Sequence, residues 1–244
     1  MKTKEHRTVL ASAGQIKELI SAVVESVPVN LEAERVQYLI GHKSELAKGI
    51  KNVLLDGKGS GDKHLSFLSD WQTFYRSVFG LELNFSGLRV PERQEGFDRL
   101  IVVVQGMTPQ KLYDKCAELF PCWKWTNRNL DEIVISDRTA NNGPYAVRFR
   151  DRVEADEEFK NLSADQLKQM NVSGITLEEH LLFELKFFKE TGQHLDIHNW
   201  TLCAGSRYAG GDAPRVVWGG GRLRVGWCNP GVARVLLRSR QAVS

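Results

Sequence analysis

The first 80 residues place apolar side chains at the spacing of an α-helix. Apolar positions recur with this period in three stretches, at residues 16–24, 36–40 and 46–54. A polar, glycine-rich linker follows at residues 56–62, and a broad aromatic stripe over residues 65–79 stops at Gly80. The pattern predicts three short amphipathic helices, a linker and a fourth helix.

From residue 100 the pattern favours strands. Residues 100–104 form a continuous run of β-favouring apolar side chains, which is typical of a central strand covered on both faces. Thr108 and Pro109 then provide an N-cap and a first-turn proline for a helix. Two further runs predict strands, at residues 133–135 and 145–149.

A longer helix is predicted from Leu177 to about Glu190. Thr176 and Glu179 have the spacing of a capping box, and Gly192 can end the helix. We expect the apolar face of this helix to pack against the sheet that contains residues 100–104; the face consists of Leu181, Leu185 and Phe188.

The pattern at residues 214–227 predicts a β-hairpin around three consecutive glycines, Gly219, Gly220 and Gly221. Alternation along the two strands divides their side chains between two faces. One face is apolar and carries Val216, Trp218, Leu223, Val225 and Trp227. The other face is largely cationic and carries Arg215, Val217, Arg222 and Arg224. The first face is expected to be buried and the second to be exposed.

Together these elements predict an α+β fold, in which an N-terminal helical region precedes a mixed helix and strand domain that ends in a β-hairpin. We place the helical region at residues 1–90 and the α+β domain, with its basic hairpin, at residues 91–244. A boundary near residue 60, in the polar linker, is the alternative.

The charge is unevenly distributed along the 244 residues. The whole chain has a net charge of only +3, but its last 44 residues contain seven arginines, no lysine and one acid, a net charge of +6. Residues 151–190 contain ten acids and five bases, a net charge of −5. A basic C-terminal segment therefore follows an acidic one.

The basic segment points to an anionic partner, and nucleic acid is our leading hypothesis. In this interpretation the protein is a non-enzymatic binding protein, and Trp200 or Tyr208 provides a ring on which a base can stack. The predicted phosphate-binding residues are Arg207, Arg215, Arg222, Arg224, Arg238 and Arg240. An alternative is a protein-interaction module, in which the arginines meet an acidic surface of this chain or of another protein.

A second alternative is a metal-dependent hydrolase or nuclease. His194, Asp196 and His198 lie two residues apart, so an extended strand would place all three on one face. Two imidazoles and a carboxylate can ligate a transition metal and leave open positions. On the same pattern, the three residues can instead form the solvated face of a strand.

The leading hypothesis requires no cofactor. The four cysteines lack the paired spacing of a zinc site, and no apolar run approaches the length of a membrane span. From the sequence we therefore expect a cytoplasmic protein that does not bind membranes.

Five segments resemble a group of bacterial proteins of unknown function; they are residues 120–125, 150–158, 191–196, 201–207 and 237–244. The similarity would span nearly the whole chain. The resemblance implies a bacterial, cytoplasmic protein, and it assigns no activity, cofactor or catalytic residue.

Overall fold

The computed structural model describes residues 12, 14, 16, 17, 20, 33–41 and 62–244. The chain forms two compact units, Met1–Lys63 and His64–Ser244. In the first unit, helix α1 spans Ala33–Gly41 and matches the second predicted helix. The third predicted helix, at residues 46–54, lies outside the described residues.

The second unit combines helices with short strands, which confirms the predicted α+β class. Its helices are α2 (Asp62–Phe79, which begins just before the unit), α3 (Pro109–Leu119), α4 (Leu130–Ile133), α5 (Ala164–Gln169) and α6 (Leu177–Thr191), with a 3₁₀ turn at Glu157–Phe159. Its strands are β1 (Arg99–Val103), β2 (Cys122–Lys124), β3 (Val134–Ser136), β4 (Tyr145–Phe149), β5 (Trp200–Leu202), β6 (Ser206–Tyr208), β7 (Ala213–Trp218), β8 (Leu223–Cys228) and β9 (Leu237–Arg238).

The strands form three sheets. Strand β1 pairs antiparallel with β4, and β3 pairs antiparallel with β6. The largest sheet has five strands in the order β2, β8, β7, β5, β9. Its centre is the antiparallel β7–β8 hairpin, while β2 and β9 join their neighbours in parallel. The hairpin predicted near the C-terminus is therefore the middle of a sheet.

Side-chain caps fix the starts of helices α3 and α6. The hydroxyl of Thr108 accepts a hydrogen bond from the backbone N–H of Lys111 at the start of α3. Thr176 and Glu179 form both hydrogen bonds of a capping box at the start of α6, and Gly192 ends that helix with a left-handed φ of 69°. The predicted caps of both helices are confirmed.

Strand β1 is buried, but it is not the central strand that its apolar run predicted. Among the described strands it pairs only with β4, and side chains of helix α2 reach its other edge. Trp71 Nε1 donates a hydrogen bond of 3.1 Å to the carbonyl of Leu100, and Tyr75 Oη donates one of 2.6 Å to the carbonyl of Val102. Two aromatic side chains of α2 thus satisfy carbonyls that a further strand would otherwise bind.

The main core lies between the sheets and α2, α3 and α6, and it buries Leu181 and Leu185 together with the apolar residues of β1. Residues from the aromatic stripe of α2 belong to this core as well, so residues 64–90 lie in the same compact unit as residues 91–244. A second, smaller core lies on the opposite face of the five-stranded sheet and contains Phe159, Ala164, Leu167, Leu202, Ala213, Cys228 and Leu237.

Candidate nucleic-acid interface

The β7–β8 hairpin shows the predicted alternation of buried and exposed side chains. Val216, Leu223 and Val225 are buried in the main core, whereas Arg224 is exposed and Arg215 is half-buried. Gly220 and Gly221 adopt left-handed φ values of 63° and 70°, which allow the tight connection between the strands.

Trp227 is an exception to this alternation. It has the register of the buried face, yet it is 48% exposed. It pairs with Pro214 near the end of the hairpin, beyond the strand positions that the main core covers.

The register of the sheet aligns three outward-facing residues across three strands. Arg224 on β8 lies between Trp123 on β2 and Val217 on β7. Directly paired residues place their side chains on the same face and within contact range. Trp123 is 45% exposed and Arg224 is exposed, and the Arg224 guanidinium extends toward the hairpin turn, where a Cβ added to Gly220 would lie 2.8 Å from Nη2.

Arg215 and Trp200 form a second pair of arginine and tryptophan on this face. The Arg215 guanidinium lies 3.8 Å from the centroid of the Trp200 ring, which is the geometry of a cation–π contact. Its side chain crosses Gly226, where an added Cβ would come within 3.3 Å of Arg215 Nε. Burial lowers the pKa of Arg215, and the nearby Arg234 acts in the same direction.

The two pairs define one surface, which we call the arginine–tryptophan face; it comprises Trp123, Trp200, Arg215, Arg222 and Arg224. Arg222 is exposed and immediately precedes β8. In the part of the chain that the structure describes, no ion pair joins Arg215, Arg222 or Arg224 to a carboxylate. These three cations are therefore not neutralised by the acidic segment at residues 151–190.

The other three predicted phosphate-binding arginines have partners within the chain. Arg207 Nη1 donates hydrogen bonds of 2.8 Å to the carbonyls of Ala204 and Ser206. Arg238 Nη2 lies 2.5 Å from a carboxylate oxygen of Glu157, so one tail arginine does pair with the acidic segment.

Arg240 has to be removed from the predicted set of phosphate-binding residues. It is only 1% exposed, and it forms an ion pair with Asp196 in the interior. A nucleic acid cannot reach this guanidinium without local unfolding. Neither Arg240 nor the partnered Arg207 and Arg238 is part of the arginine–tryptophan face.

Of the two predicted stacking residues, only Trp200 lies on this face. Tyr208 is buried, its hydroxyl donates a hydrogen bond to the carbonyl of Gly226, and its ring meets the edge of Trp125 at 5.4 Å. Trp123 takes the place that we expected for Tyr208. Trp123 reaches this face because β2 pairs with β8, and no local pattern in the sequence predicts that pairing.

The strand predicted at residues 194–198 is wrong. These residues form a loop before β5, and Asp196 has a left-handed φ of 53°. His194 Nδ1 lies 2.6 Å from Glu184 Oε1, and its ring stacks on Trp218. Asp196 is buried with Arg240, whereas His198 is exposed.

The three candidate metal ligands thus point to different surroundings, because the backbone at Asp196 breaks the alternation of a strand. Among the described residues, no group of three histidine, cysteine, aspartate or glutamate side chains is arranged to hold a metal ion.

Comparisons with known proteins identify no relative of this chain. No protein-family model matches it, and neither a curated protein nor a solved structure matches it significantly. No helix within residues 33–41 and 62–244 combines the length and the apolar character needed to cross a membrane.

Proposed function

We propose that this protein binds single-stranded nucleic acid on the arginine–tryptophan face. The observation that carries the proposal is the row formed by Trp123 and Arg224 on adjacent strands, with both side chains exposed and the arginine outside every described ion pair. Proteins that bind single strands combine cationic groups for the backbone with exposed rings for the bases.

The chemistry of each side chain supports this assignment. A guanidinium can donate two parallel hydrogen bonds to a phosphate, and Arg222 and Arg224 are free of the carboxylates that would compete for those donors in the described structure. An exposed indole such as Trp123 can stack on a base, a contact worth about 1–3 kcal/mol. A single strand can present bases and phosphates to one face, whereas a duplex keeps its bases stacked inside.

Fluorescence anisotropy with a labelled oligouridylate tests the proposal. We expect the wild-type chain to bind this strand and the double variant Arg215→Gln/Arg224→Gln to bind it much more weakly. Trp123→Ala should weaken binding by about tenfold, since it removes one stacking ring. A matched control is Arg89→Gln/Lys189→Gln, which removes two exposed positive charges outside the face and should bind nearly as well as wild type.

Two outcomes would contradict the proposal. One is equal loss of affinity in the control and in the face variant, which would indicate attraction by net charge alone. The other is competition by polyglutamate as effective as that by unlabelled oligouridylate, which would favour an acidic protein surface as the partner.

A further inference from the structure

A cavity on another part of the second unit lies outside the arginine–tryptophan face. It has a volume of about 430 Å³ and lies between the start of α3, strand β3 and the start of α6. This volume falls in the range of sites that bind small molecules. The hairpin arginines do not line it, so the cavity requires a separate explanation.

The polar lining of the cavity is acidic. Two carboxyl groups, Asp131 and Glu178, line it together with hydroxyl and amide side chains, and no lysine or arginine is among its described lining residues. A ligand with a positive charge therefore matches this lining, and an anionic ligand does not.

Glu178 is the buried member of the pair. Its side chain lies on the first turn of α6 and is only 6% exposed. Ser136 Oγ donates a hydrogen bond of 2.6 Å to Glu178 Oε2, and Ser206 Oγ lies 2.7 Å from Ser136 Oγ. The hydroxyl of Ser136 thereby fixes one carboxylate oxygen at the wall of the cavity.

Glu179, the next residue on α6, has an ion-pair partner, whereas Glu178 has none among the described residues. Glu179 receives hydrogen bonds of 2.7 Å from Nε and Nη2 of Arg138, which form a bidentate ion pair. No described residue forms an ion pair with Glu178. Burial raises the pKa of Glu178 to about 7, and the negative charge of Glu179 adds to this effect. A cation in the cavity would supply the missing counter-charge.

The remaining lining is apolar. Val103, Met107 and Pro109 line the cavity but are themselves buried, whereas Ile135 is 70% exposed and offers open apolar surface. An apolar ligand body would cover the exposed Ile135 side chain while its charged end reaches Glu178.

We propose that this cavity binds a small organic cation, an amine or guanidine with an apolar body, whose charged group pairs with Glu178. The site is independent of the nucleic-acid proposal, because the two share no residue.

Phenethylamine and its neutral isostere phenethyl alcohol are suitable probes, and isothermal titration calorimetry at about pH 8, where the carboxylate is ionised, measures both affinities. We expect wild type to bind the amine at least about tenfold more tightly than the alcohol. Glu178→Gln, which retains an acceptor for Ser136, should bind the two probes equally. Glu132→Gln removes an exposed carboxylate on α4 and should retain the preference for the amine.

A second readout is the pKa of Glu178, measured by NMR from the pH dependence of its carboxyl-carbon chemical shift. If Glu178 had only a structural role, adding the amine would not change this pKa. The other titratable groups near Glu178 are Glu179 on α6, Tyr145 on β4, Asp131 on α4 and Cys203 after β5. A bound cation favours the ionised carboxylate, so saturating amine should lower the pKa of Glu178. Equal binding of amine and alcohol by wild type, no binding of the amine at millimolar concentration, or an unchanged Glu178 titration would each overturn the proposal.

Discussion

Arg240 and Asp196 form an ion pair in the interior of the second compact unit. Arg240 Nη2 lies 2.7 Å from Asp196 Oδ1, and both side chains are only 1% exposed. Arg240 also donates hydrogen bonds to the carbonyls of Arg152 and Val153, and Asp196 accepts hydrogen bonds from Thr201 Oγ1 and from the backbone N–H of Ala155. The pair therefore joins the C-terminal segment to two loops that are distant in sequence.

Replacing Arg240 by Ala should lower the free energy of unfolding by about 3–5 kcal/mol, because it leaves a buried carboxylate without its counter-charge. Urea denaturation measures the change. Arg222→Ala is the matched control: its side chain is exposed, and we expect a change within about 0.5 kcal/mol. Equal small effects for the two variants would show that the ion pair does not hold the C-terminal segment in place.

Replacing both Arg222 and Arg224 by Gln should reduce the salt dependence of nucleic-acid binding. Each phosphate contact releases counterions, so the slope of log affinity against log salt should fall in magnitude by roughly 2. The melting temperature should hardly change, because Arg224 is on the face opposite the buried Leu223 and Val225 and Arg222 is exposed. A double variant that keeps its affinity but melts well below wild type would assign these arginines a structural role.

Glu178→Gln should stabilise the protein in a pH-dependent way. The folded-state pKa of Glu178 is about 7, above its ordinary value of 4.5, so the folded state retains a proton that the unfolded state releases. The resulting penalty is absent below about pH 4.5, grows as the pH rises, and is complete above about pH 7. The shift corresponds to about 3 kcal/mol.

Urea denaturation of wild type and Glu178→Gln at about pH 4 and about pH 8 tests this expectation. The two proteins should have nearly equal stability at the lower pH, and the variant should be more stable at the higher pH. Glu132→Gln, which removes an exposed carboxylate, is the matched control and should stay within about 0.5 kcal/mol of wild type at the higher pH. If the Glu178→Gln variant were as stable as wild type at both pH values, the raised pKa of Glu178 would be refuted.

Leu185→Ala should destabilise the protein by roughly 2–5 kcal/mol, because Leu185 is completely buried and its truncation leaves a cavity in the main core. Thermal or urea denaturation measures the loss. A change of under about 0.5 kcal/mol, which is typical of a surface position, would contradict the packing of α6 described above.

The sequence by itself determined the features that depend on neighbouring residues. The capping box of Thr176 and Glu179 sets the start of α6, and the alternation along residues 213–228 separates buried Val216 from exposed Arg224. Both rules act within a few residues, because the geometry of a helix turn or a strand fixes the positions of adjacent side chains. The class of the fold and one face of the candidate interface follow from such local patterns.

Tertiary structure alone decided which arginine side chains remain accessible to an anionic partner. Arg224 and Arg240 have the same chemistry in the sequence, yet one is exposed beside Trp123 and the other is buried against Asp196, 44 residues away. The cavity at Glu178 likewise depends on Ser136, which lies 42 residues from it. Burial and ion pairing depend on contacts between distant segments, and the free energy of those contacts is not encoded in any local pattern of the chain.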